Sequence, residues 1–404
     1  MPRPRQLRWV GDPLEKVAVV GIGRIGLCLA LNLERVGYAV LGVDKSTEHI
    51  KQVGEKTLRT PEPGVEDALQ AARNFQVAGH PGAIRAFEPD LVFVAVDTPT
   101  DEGGGYDHSH VDHVLAEMFR LVPWRDRVEL ALVCTTFPGY CDSKARLANT
   151  YSYVLNYTPG FIAHGSILRD QQAPDQVLIG EGDLAAGAKL ESVYRRMCIN
   201  QPAIYRMPPL SAEIAKLALN CALTMKIAFA NAIGDLAKSV GASPEQILAV
   251  VGADTRIGSE FLKYGFGYGG ACLTRDNRAL NLFANKHNHE LLQAVATDEM
   301  NRQHLAFQVN EYLRVCRADQ PIHFDSVTYK PGTEILEESQ PLALALQLAR
   351  AGRRVVVHES PAVTASLRRQ FGDLIVCETR PGGDPLQPDA KYSEERFPGR
   401  ISGT

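Results

Sequence analysis

A glycine-rich turn between a buried strand and a helix constrains this chain more than any other feature. The apolar run VAVV ends at Val20, and GIGRIG follows from Gly21 to Gly26. A second strand-like run, YAVLGVD, ends at Asp44. In such a βαβ unit the first glycine makes the tight turn, the second lets a pyrophosphate approach, and the third lets helix and strand pack. The pattern predicts a Rossmann domain and leaves a turn without a ligand as the weaker alternative.

The carboxylate that ends the second strand bears on the choice of cofactor. Asp44 can accept hydrogen bonds from an adenosine ribose and would repel a 2′-phosphate, which favours NAD over NADP, although Lys45 weakens that preference slightly. Two threonines follow later strands, DLVFVAV and ELALVC, at the sheet edge where ligands bind, but each could equally cap its strand end. The predicted cofactor-binding residues are Gly21, Gly23, Arg24, Ile25, Gly26, Asp44, Thr98 and Thr136.

A second glycine-rich stretch, FLKYGFGYGGACLTRD, runs from Phe261 to Asp276 and contains one cysteine, Cys272. Glycine lets a backbone approach a ligand closely, and a cysteine directly after such a loop can face a substrate. Asp276 lies four residues further on and would share a helical face with the thiol. The alternative is a flexible loop with a buried core thiol, the commoner fate of a free cysteine.

One long helix is predicted between these two stretches, from Ser211 as N-cap to Val240, because apolar residues recur at helical spacing and Gly241 follows. At roughly 43 Å it could link two domains and pack against its own copy in a dimer. Lys216 and Asn220 are four residues apart and share one face. Pattern alone favours the reading that this lysine is merely exposed and the asparagine unimportant.

Composition excludes several classes of function. With 45% hydrophobic and 22% charged residues and a net charge of −4, the chain is typical of a globular protein without affinity for nucleic acid or an anionic membrane. No run approaches about 18 uninterrupted apolar residues, and no signal peptide opens the chain. Eight scattered cysteines without a CxxC pair indicate reduced thiols in a cytoplasmic protein, rather than disulfides or zinc.

A histidine-rich segment is the remaining candidate metal site. Asp107 reads as the N-cap of a helix that runs to about Leu121, and His110 and His113 are three residues apart. Nothing supplies further ligands, so we interpret the segment as a solvated first turn and predict no metal.

The predicted fold class is α/β. A smaller βαβ-like unit near the C-terminus comprises a strand within 321–329, a helix over 342–351 and a strand over 354–358. The predicted domains are a disordered extension (1–15), an NAD-binding Rossmann domain (16–205), a central helical dimerisation domain with the cysteine loop (206–315), a short nucleotide-sized C-terminal domain (316–378) and a disordered tail (379–404).

Several motifs in order make the chain resemble the UDP-glucose/GDP-mannose dehydrogenase family, from about Lys16 to about Pro361. The cysteine loop is the most specific of them. The motifs are GIGRIG with Asp44, TTFPG from Thr135, YTPGFIAHGS from Tyr157, SAEIAKLALN from Ser211, DTRIGSEFL from Asp254, GYGGACLTRD from Gly267 and TYKPGT from Thr328.

The resemblance implies oxidation of a primary alcohol of a nucleotide-linked hexose to a carboxylate, with reduction of two NAD, by a homodimer joined through its central domain. It also implies that the C-terminal domain (316–378) binds the nucleotide sugar, although this domain is shortened. Cys272 would be the nucleophile, with Lys216 and Asn220 stabilising the oxyanion, Asp276 assisting and Thr136 positioning a water. The implied substrate-binding residues are Phe161, Ile162, Lys216, Asn220, Ile227, Phe261, Leu262 and Gly267, with Lys330 at the nucleotide phosphates and Arg256 reaching into the partner's site.

The chain departs from the family at its glutamates. The family motif NPEFLxEG is here TPGFIAHG, so Gly160 and His164 replace two glutamates, one that assists thioester hydrolysis and one beside the nicotinamide. Gly160 can transfer no proton, whereas His164 could, or could equally be a packing or surface histidine. Glu337 replaces an arginine expected near the cofactor phosphates, a change that should weaken NAD binding unless another cation compensates.

Three hypotheses follow from these retained and lost residues. The first is a complete four-electron nucleotide-sugar 6-dehydrogenase, with His164 or water in place of the lost base. The second is a diverged dehydrogenase that stops at the aldehyde or uses another alcohol. The third, a non-catalytic binding protein, is disfavoured because Cys272, Lys216, Asn220 and Asp276 are all present.

Overall fold

A computed structural model of the chain describes residues 15–121, 127–162, 165–330 and 333–379. The predicted N-terminal extension before Glu15 and the predicted tail beyond Thr379 lie outside the described residues. The chain divides into two compact units, with the boundary between Ile214 and Ala215, and a short segment, 100–105, groups with the second unit.

The first unit contains an eight-stranded sheet whose strands follow the spatial order 3-2-1-4-5-6-7-8. The first six strands run parallel in the order of a dinucleotide-binding sheet, which confirms the predicted Rossmann fold, whereas the seventh pairs antiparallel with the sixth. The strands are β1 (Lys16–Val20), β2 (Ala39–Val43), β3 (Phe75–Ala78), β4 (Leu91–Val94), β5 (Val128–Leu132), β6 (Tyr153–Tyr157), β7 (Gln176–Gly180) and β8 (Ala203–Met207).

Eight helices accompany this sheet within the described residues of the first unit. The third fingerprint glycine lets the first helix pack closely, because a Cβ on Gly26 would lie 1.9 Å from the carbonyl oxygen of Gly21. The helices are α1 (Arg24–Arg35), α2 (Thr47–Gly54), α3 (Val65–Ala71), α4 (Gly82–Phe87), α5 (Ser109–Phe119), α6 (Tyr140–Thr150), α7 (Ile167–Gln172) and α8 (Leu184–Met197).

The predicted cap of α5 is wrong by one residue. His108 is the N-cap, and the Asp107 carboxylate accepts the N–H of Ser109 at 2.8 Å. His108 Nε2 accepts the N–H of Phe137, and its ring stacks on Tyr140 with centroids 4.1 Å apart, so this histidine is packed rather than solvated. Among the described residues no group of three or more His, Cys, Asp or Glu side chains could hold a metal ion.

The second unit is mainly helical. Its helices are α9 (Pro209–Ser239, which begins in the first unit), α10 (Pro244–Ala253), α11 (Gly270–Lys286), α12 (Leu292–Val315), α13 (Gln340–Arg350) and α14 (Pro361–Phe371). The long helix begins two residues before the predicted cap, Ser211, because a proline is tolerated in a first turn, where no intrahelical N–H bond is lost. The predicted cap of α10 is confirmed: Ser243 accepts the N–H of Gln246.

By length and composition alone, α9 could cross a membrane. However, 44% of its most apolar 18-residue window is buried in the chain, and core helices of globular proteins pass the same test. It also carries the buried side chains of Lys216 and Asn220. We therefore treat it as a core helix.

A small parallel sheet completes the second unit, in the order β11-β10-β9, with β9 (Ile322–Phe324), β10 (Val355–Glu359) and β11 (Val376–Thr379). The predicted strand over 321–329 is shorter because the Glu359 carboxylate accepts the N–H of Val327 at 2.7 Å and turns the chain. Leu305 and Tyr312 of α12 share a hydrophobic cluster with this sheet, so no boundary between compact units falls at residue 315.

Candidate active site

The predicted cofactor-binding turn lies at the end of β1 in the first unit. Gly21 has a φ of +87°, in the left-handed region that glycine tolerates, and a Cβ on Gly23 would meet no atom within 4 Å. No side chain caps α1, whose first residues, Arg24 and Ile25, follow Gly23 directly. The open space and the uncapped N–H groups of the first turn fit a pyrophosphate.

Asp44 follows β2 at the same edge of the sheet. Its Oδ1 accepts the N–H of Ser46 at 3.0 Å, which holds the carboxylate at the strand end. Because β1 and β2 are paired through Val20 and Val43, this carboxylate sits beside the glycine turn, as an adenosine ribose requires.

The two threonines have protein partners. Thr98 Oγ1 donates to the carbonyl of Thr135 at 2.8 Å, and the fully buried Thr136 donates to Glu213 Oε1 at 2.8 Å. Since each hydroxyl proton is committed, each threonine can act toward a cofactor or water only as an acceptor. Their assignment as ligand-binding residues remains a prediction.

Glu213 was missed by the sequence reasoning. Its buried carboxylate also accepts the N–H groups of Gly139 and Cys141, so it caps α6 while it holds Thr136. Burial raises the pKa of Glu213, and these hydrogen bonds act in the opposite direction. Its partners lie more than 70 residues away in sequence, so no local pattern could have indicated this role.

A cysteine-containing group of polar residues lies in the second unit, between α9 and the first turns of α11. Asn220 Nδ2 donates to Asp276 Oδ2 at 2.6 Å, and Arg275 Nε lies 3.4 Å from Asp276 Oδ1. Lys216 is buried one turn before Asn220, and Cys272 stands in the first turn of α11. The structure therefore brings together the four residues predicted to carry the chemistry.

The charges in this group are coupled. Burial lowers the pKa of Lys216, while Asp276 and Cys272 act against that shift. Cys272 is an exposed residue, but protein atoms surround its thiol. This desolvation raises the pKa of the thiol, and the charge of Asp276 raises it further, whereas Arg275 and Lys216 lower it. Glu337 also raises this pKa, so the anion at that position bears on the cysteine.

We expect alkylation of Cys272 by iodoacetamide to accelerate with pH and to keep rising beyond the ordinary pKa of a thiol. A raised pKa leaves the thiol protonated at neutral pH, and only the thiolate reacts. Peptide mass spectrometry can follow this site because the other seven cysteines, all within the described residues, are buried or half-buried. A plateau below about pH 8 would contradict the prediction.

Two glycines of the cysteine loop, Gly267 and Gly269, lie so close to protein atoms that a Cβ would not fit. A Cβ on Gly267 would lie 2.2 Å from Asn301 Oδ1, and one on Gly269 would lie 2.2 Å from the carbonyl oxygen of Glu338. A Cβ on Gly265 would meet no atom within 4 Å, so close approach of a ligand is open at that glycine.

The predicted sugar-binding residues are spread over both units. Phe161 and Ile162 belong to the first unit, where Ile162 packs against the core. Ile227 is half-buried on α9, and Phe261 is 38% exposed with a φ of +62°. Leu262 packs with Ala230 and Leu248, so it contributes to a hydrophobic cluster.

The remaining predictions involve charged residues. Arg256 is exposed, and its guanidinium pairs with Asp254 at 2.6 Å. Lys330 is half-buried, and its carbonyl accepts the hydroxyl of Thr333. His164 lies outside the described residues, and the half-buried Gly160 precedes it.

The glycine turn and the parallel sheet in Rossmann order define the first unit as a dinucleotide-binding domain. Residues 15–198 match the NAD binding domain of the UDP-glucose/GDP-mannose dehydrogenase family, and residues 210–303 match the central domain of that family. The chain therefore belongs to the UDP-glucose/GDP-mannose dehydrogenase family, and NAD is its cofactor.

Relatives with different sugars are about equally similar. UDP-glucose 6-dehydrogenase of Pseudomonas aeruginosa is 29% identical, with 90% of this chain and 82% of that protein covered. GDP-mannose 6-dehydrogenase of the same organism is 27% identical, with 83% and 79% covered. The structure of a UDP-glucose dehydrogenase from Pyrobaculum islandicum superposes with a TM-score of 0.82 at 28% identity, covering 91% of this chain and 87% of that one.

Proposed function

We propose that this enzyme oxidises the C6 primary alcohol of a nucleotide-linked hexose, of the UDP-glucose type, to the uronic acid through a thioester on Cys272. The observation that carries the proposal is the cluster of Cys272, Lys216, Asn220 and Asp276 in one unit. The similarity to UDP-glucose and GDP-mannose 6-dehydrogenases supports the substrate class.

NAD, when bound at the glycine turn, supplies the oxidising power by accepting one hydride in each of two oxidations. The Cys272 thiol gives its proton to solvent, and the resulting thiolate adds to the carbonyl carbon of the intermediate aldehyde, which forms a C–S bond and leaves an alkoxide oxygen. The Lys216 ammonium and an N–H of Asn220 stabilise that oxygen. The hydrogen bond from Asn220 to Asp276 orients the amide and leaves its second N–H for the substrate.

Release of the product requires water to attack the thioester, break the C–S bond and return the thiolate. The carboxylate that assists this step in the family is absent at Gly160. This observation favours a second candidate function, an enzyme that stops at the aldehyde after one hydride. In the four-electron proposal, water hydrolyses the thioester with help from Asp276 or from His164.

We expect two molecules of NADH for each molecule of UDP-glucose consumed, with the uronic acid as product. Absorbance at 340 nm and chromatography of the sugar product give the ratio, and GDP-mannose and UDP-N-acetylhexosamines complete the substrate panel. A ratio of one with accumulated aldehyde would support the two-electron alternative. No NADH with any nucleotide sugar would contradict both.

A homodimer joined through α9 is part of the proposal. Exposed apolar side chains recur on one line of this helix at spacings of three, four and seven residues, and Leu236 is 60% exposed. An exposed apolar stripe of this kind can pack against the same stripe on α9 of a second copy of the chain. Its members are Ala218, Ala222, Met225, Phe229 and Leu236.

We expect Phe229→Glu to convert the dimer into a monomer, because a charge would be buried in an apolar contact. Light scattering after gel filtration measures the mass, and Asn285→Glu on an exposed part of α11 serves as the matched control. A monomeric wild-type chain, or a variant that stays dimeric, would contradict this interface.

A further inference from the structure

Buried polar side chains line one face of α12, at Asn301, His304 and Gln308, where apolar residues would be expected. They are 8%, 2% and 2% exposed, and their spacing of three and four residues puts them on one side of the helix. On α9, Asn231 and Asp235 are likewise four residues apart. We call Asn231, Asp235, Asn301, His304 and Gln308 the loop clamp. Each of them is hydrogen-bonded to the stretch from Tyr264 to Tyr268, which leads to Cys272.

Two asparagines of the loop clamp bind the loop backbone. Asn231 Oδ1 accepts the N–H of Gly265 at 3.0 Å, and its Nδ2 donates to the carbonyl of Phe266 at 3.1 Å. Asn301 Oδ1 accepts the N–H of Tyr268, and its Nδ2 donates to the carbonyl of the same residue, both at 3.0 Å. Side chains thus replace the partners that a helix or sheet would give this loop.

The histidine of the loop clamp must donate from both ring nitrogens or share a proton with its aspartate. His304 Nε2 lies 2.7 Å from the carbonyl oxygen of Gly265, and its Nδ1 lies 2.9 Å from both carboxylate oxygens of Asp235. A carbonyl oxygen can only accept. Whether the second proton resides on His304 or on Asp235, the pair holds one proton more than a neutral imidazole and a carboxylate would.

Charged and titratable groups surround this pair. The Tyr264 hydroxyl donates to Asp235 Oδ1 at 2.8 Å, and the Lys238 ammonium lies 5.4 Å from the centre of the Tyr264 ring. Glu245 and Glu311 act on Tyr264 and Lys238 from the neighbouring helices.

We propose that His304 and Asp235 are positioning residues, whose extra proton holds the Gly265 carbonyl and thereby places the loop that presents Cys272. Without this proton, Nε2 or Nδ1 would be an acceptor that faces another acceptor, and one of the two hydrogen bonds would be lost. The catalytic consequence rests on the proposed function, whereas the effect on the loop does not.

Three variants test the proposal in the full chain. Asp235→Asn can donate to Nδ1 of a neutral His304, so it keeps both contacts without the extra proton. His304→Ala removes both contacts. Gln303→Ala, beside it on the exposed face of α12, is the control. Hydrogen–deuterium exchange of residues 264–270 and iodoacetamide labelling of Cys272 are measured at pH 7, with kcat and KM for NADH formation.

At pH 7, His304→Ala should speed loop exchange and lower kcat by about tenfold each, with KM within about threefold. Asp235→Asn should keep loop exchange within about twofold of the wild-type rate, because His304 retains both contacts. Wild-type exchange in His304→Ala, or exchange about tenfold faster than wild type in Asp235→Asn, would overturn the proposal. If His304→Ala does not fold, the comparison of Asp235→Asn with wild type decides, and inactivity toward every nucleotide sugar would affect neither exchange nor labelling.

Discussion

Replacing Cys272 by serine is expected to lower the rate of uronic acid formation by at least about 10³-fold. A serine hydroxyl at the start of α11 has the same reach, but it is a far weaker acid than the thiol, and Arg275 and Lys216 are the nearby cations that can favour its ionisation. Without addition to the aldehyde, the second oxidation has no thiohemiacetal to act on. The measurement is uronic acid formed per enzyme, determined by chromatography alongside NADH release.

Cys316→Ser is the matched control, since this half-buried cysteine follows α12 and lies outside the cluster with Lys216. It should retain the wild-type rate. If Cys272→Ser formed the carboxylate at the normal rate, the thioester route would be wrong.

Replacing Lys216 by methionine is expected to lower kcat by about 10²–10³-fold. Methionine keeps much of the apolar stem in the buried space on α9 but removes the cation proposed to stabilise the oxyanion. The same change should raise the pKa of Cys272 further, because the Lys216 charge now opposes that rise. Both effects can be read from initial rates and from the pH profile of alkylation.

Lys286→Met, at the exposed end of α11, controls for loss of a positive charge in the same unit. It should leave both readouts unchanged. Wild-type kcat in Lys216→Met would remove the lysine from the proposed oxyanion site and leave Asn220 as its donor.

The sequence predicted those parts of the structure that depend on neighbouring residues. The turn from Gly21 to Gly26, the long helix and the capping serine at Ser243 are local patterns, and the structure contains them. The helix that begins at Pro361 was missed although Ser360 and Pro361 form a local start signal; Ser360 accepts the N–H of Val363 there.

Other parts of the site depend on contacts between distant residues. Glu213 meets Thr136 across 77 positions, and Asn301 meets Tyr268 across 33. A polar residue in a helix shows no local sign of the backbone group that it will bind. For the same reason, the sequence of the cysteine loop could not show that Gly267 lies against Asn301 or that Gly269 lies against Glu338.

One glycine of α9 limits how this enzyme could be made more heat-resistant. Exchanging a mid-helix glycine for alanine commonly adds about 0.5–1 kcal/mol to stability, and Gly234 is such a position by sequence. Its Cα lies against the Tyr264 ring, where a Cβ would come within 1.9 Å of Cδ2. Overpacking of this kind typically costs about 1–3 kcal/mol, so the gain in helix propensity would be outweighed. Thermostabilising substitutions are therefore better sought away from this contact between helix and cysteine loop.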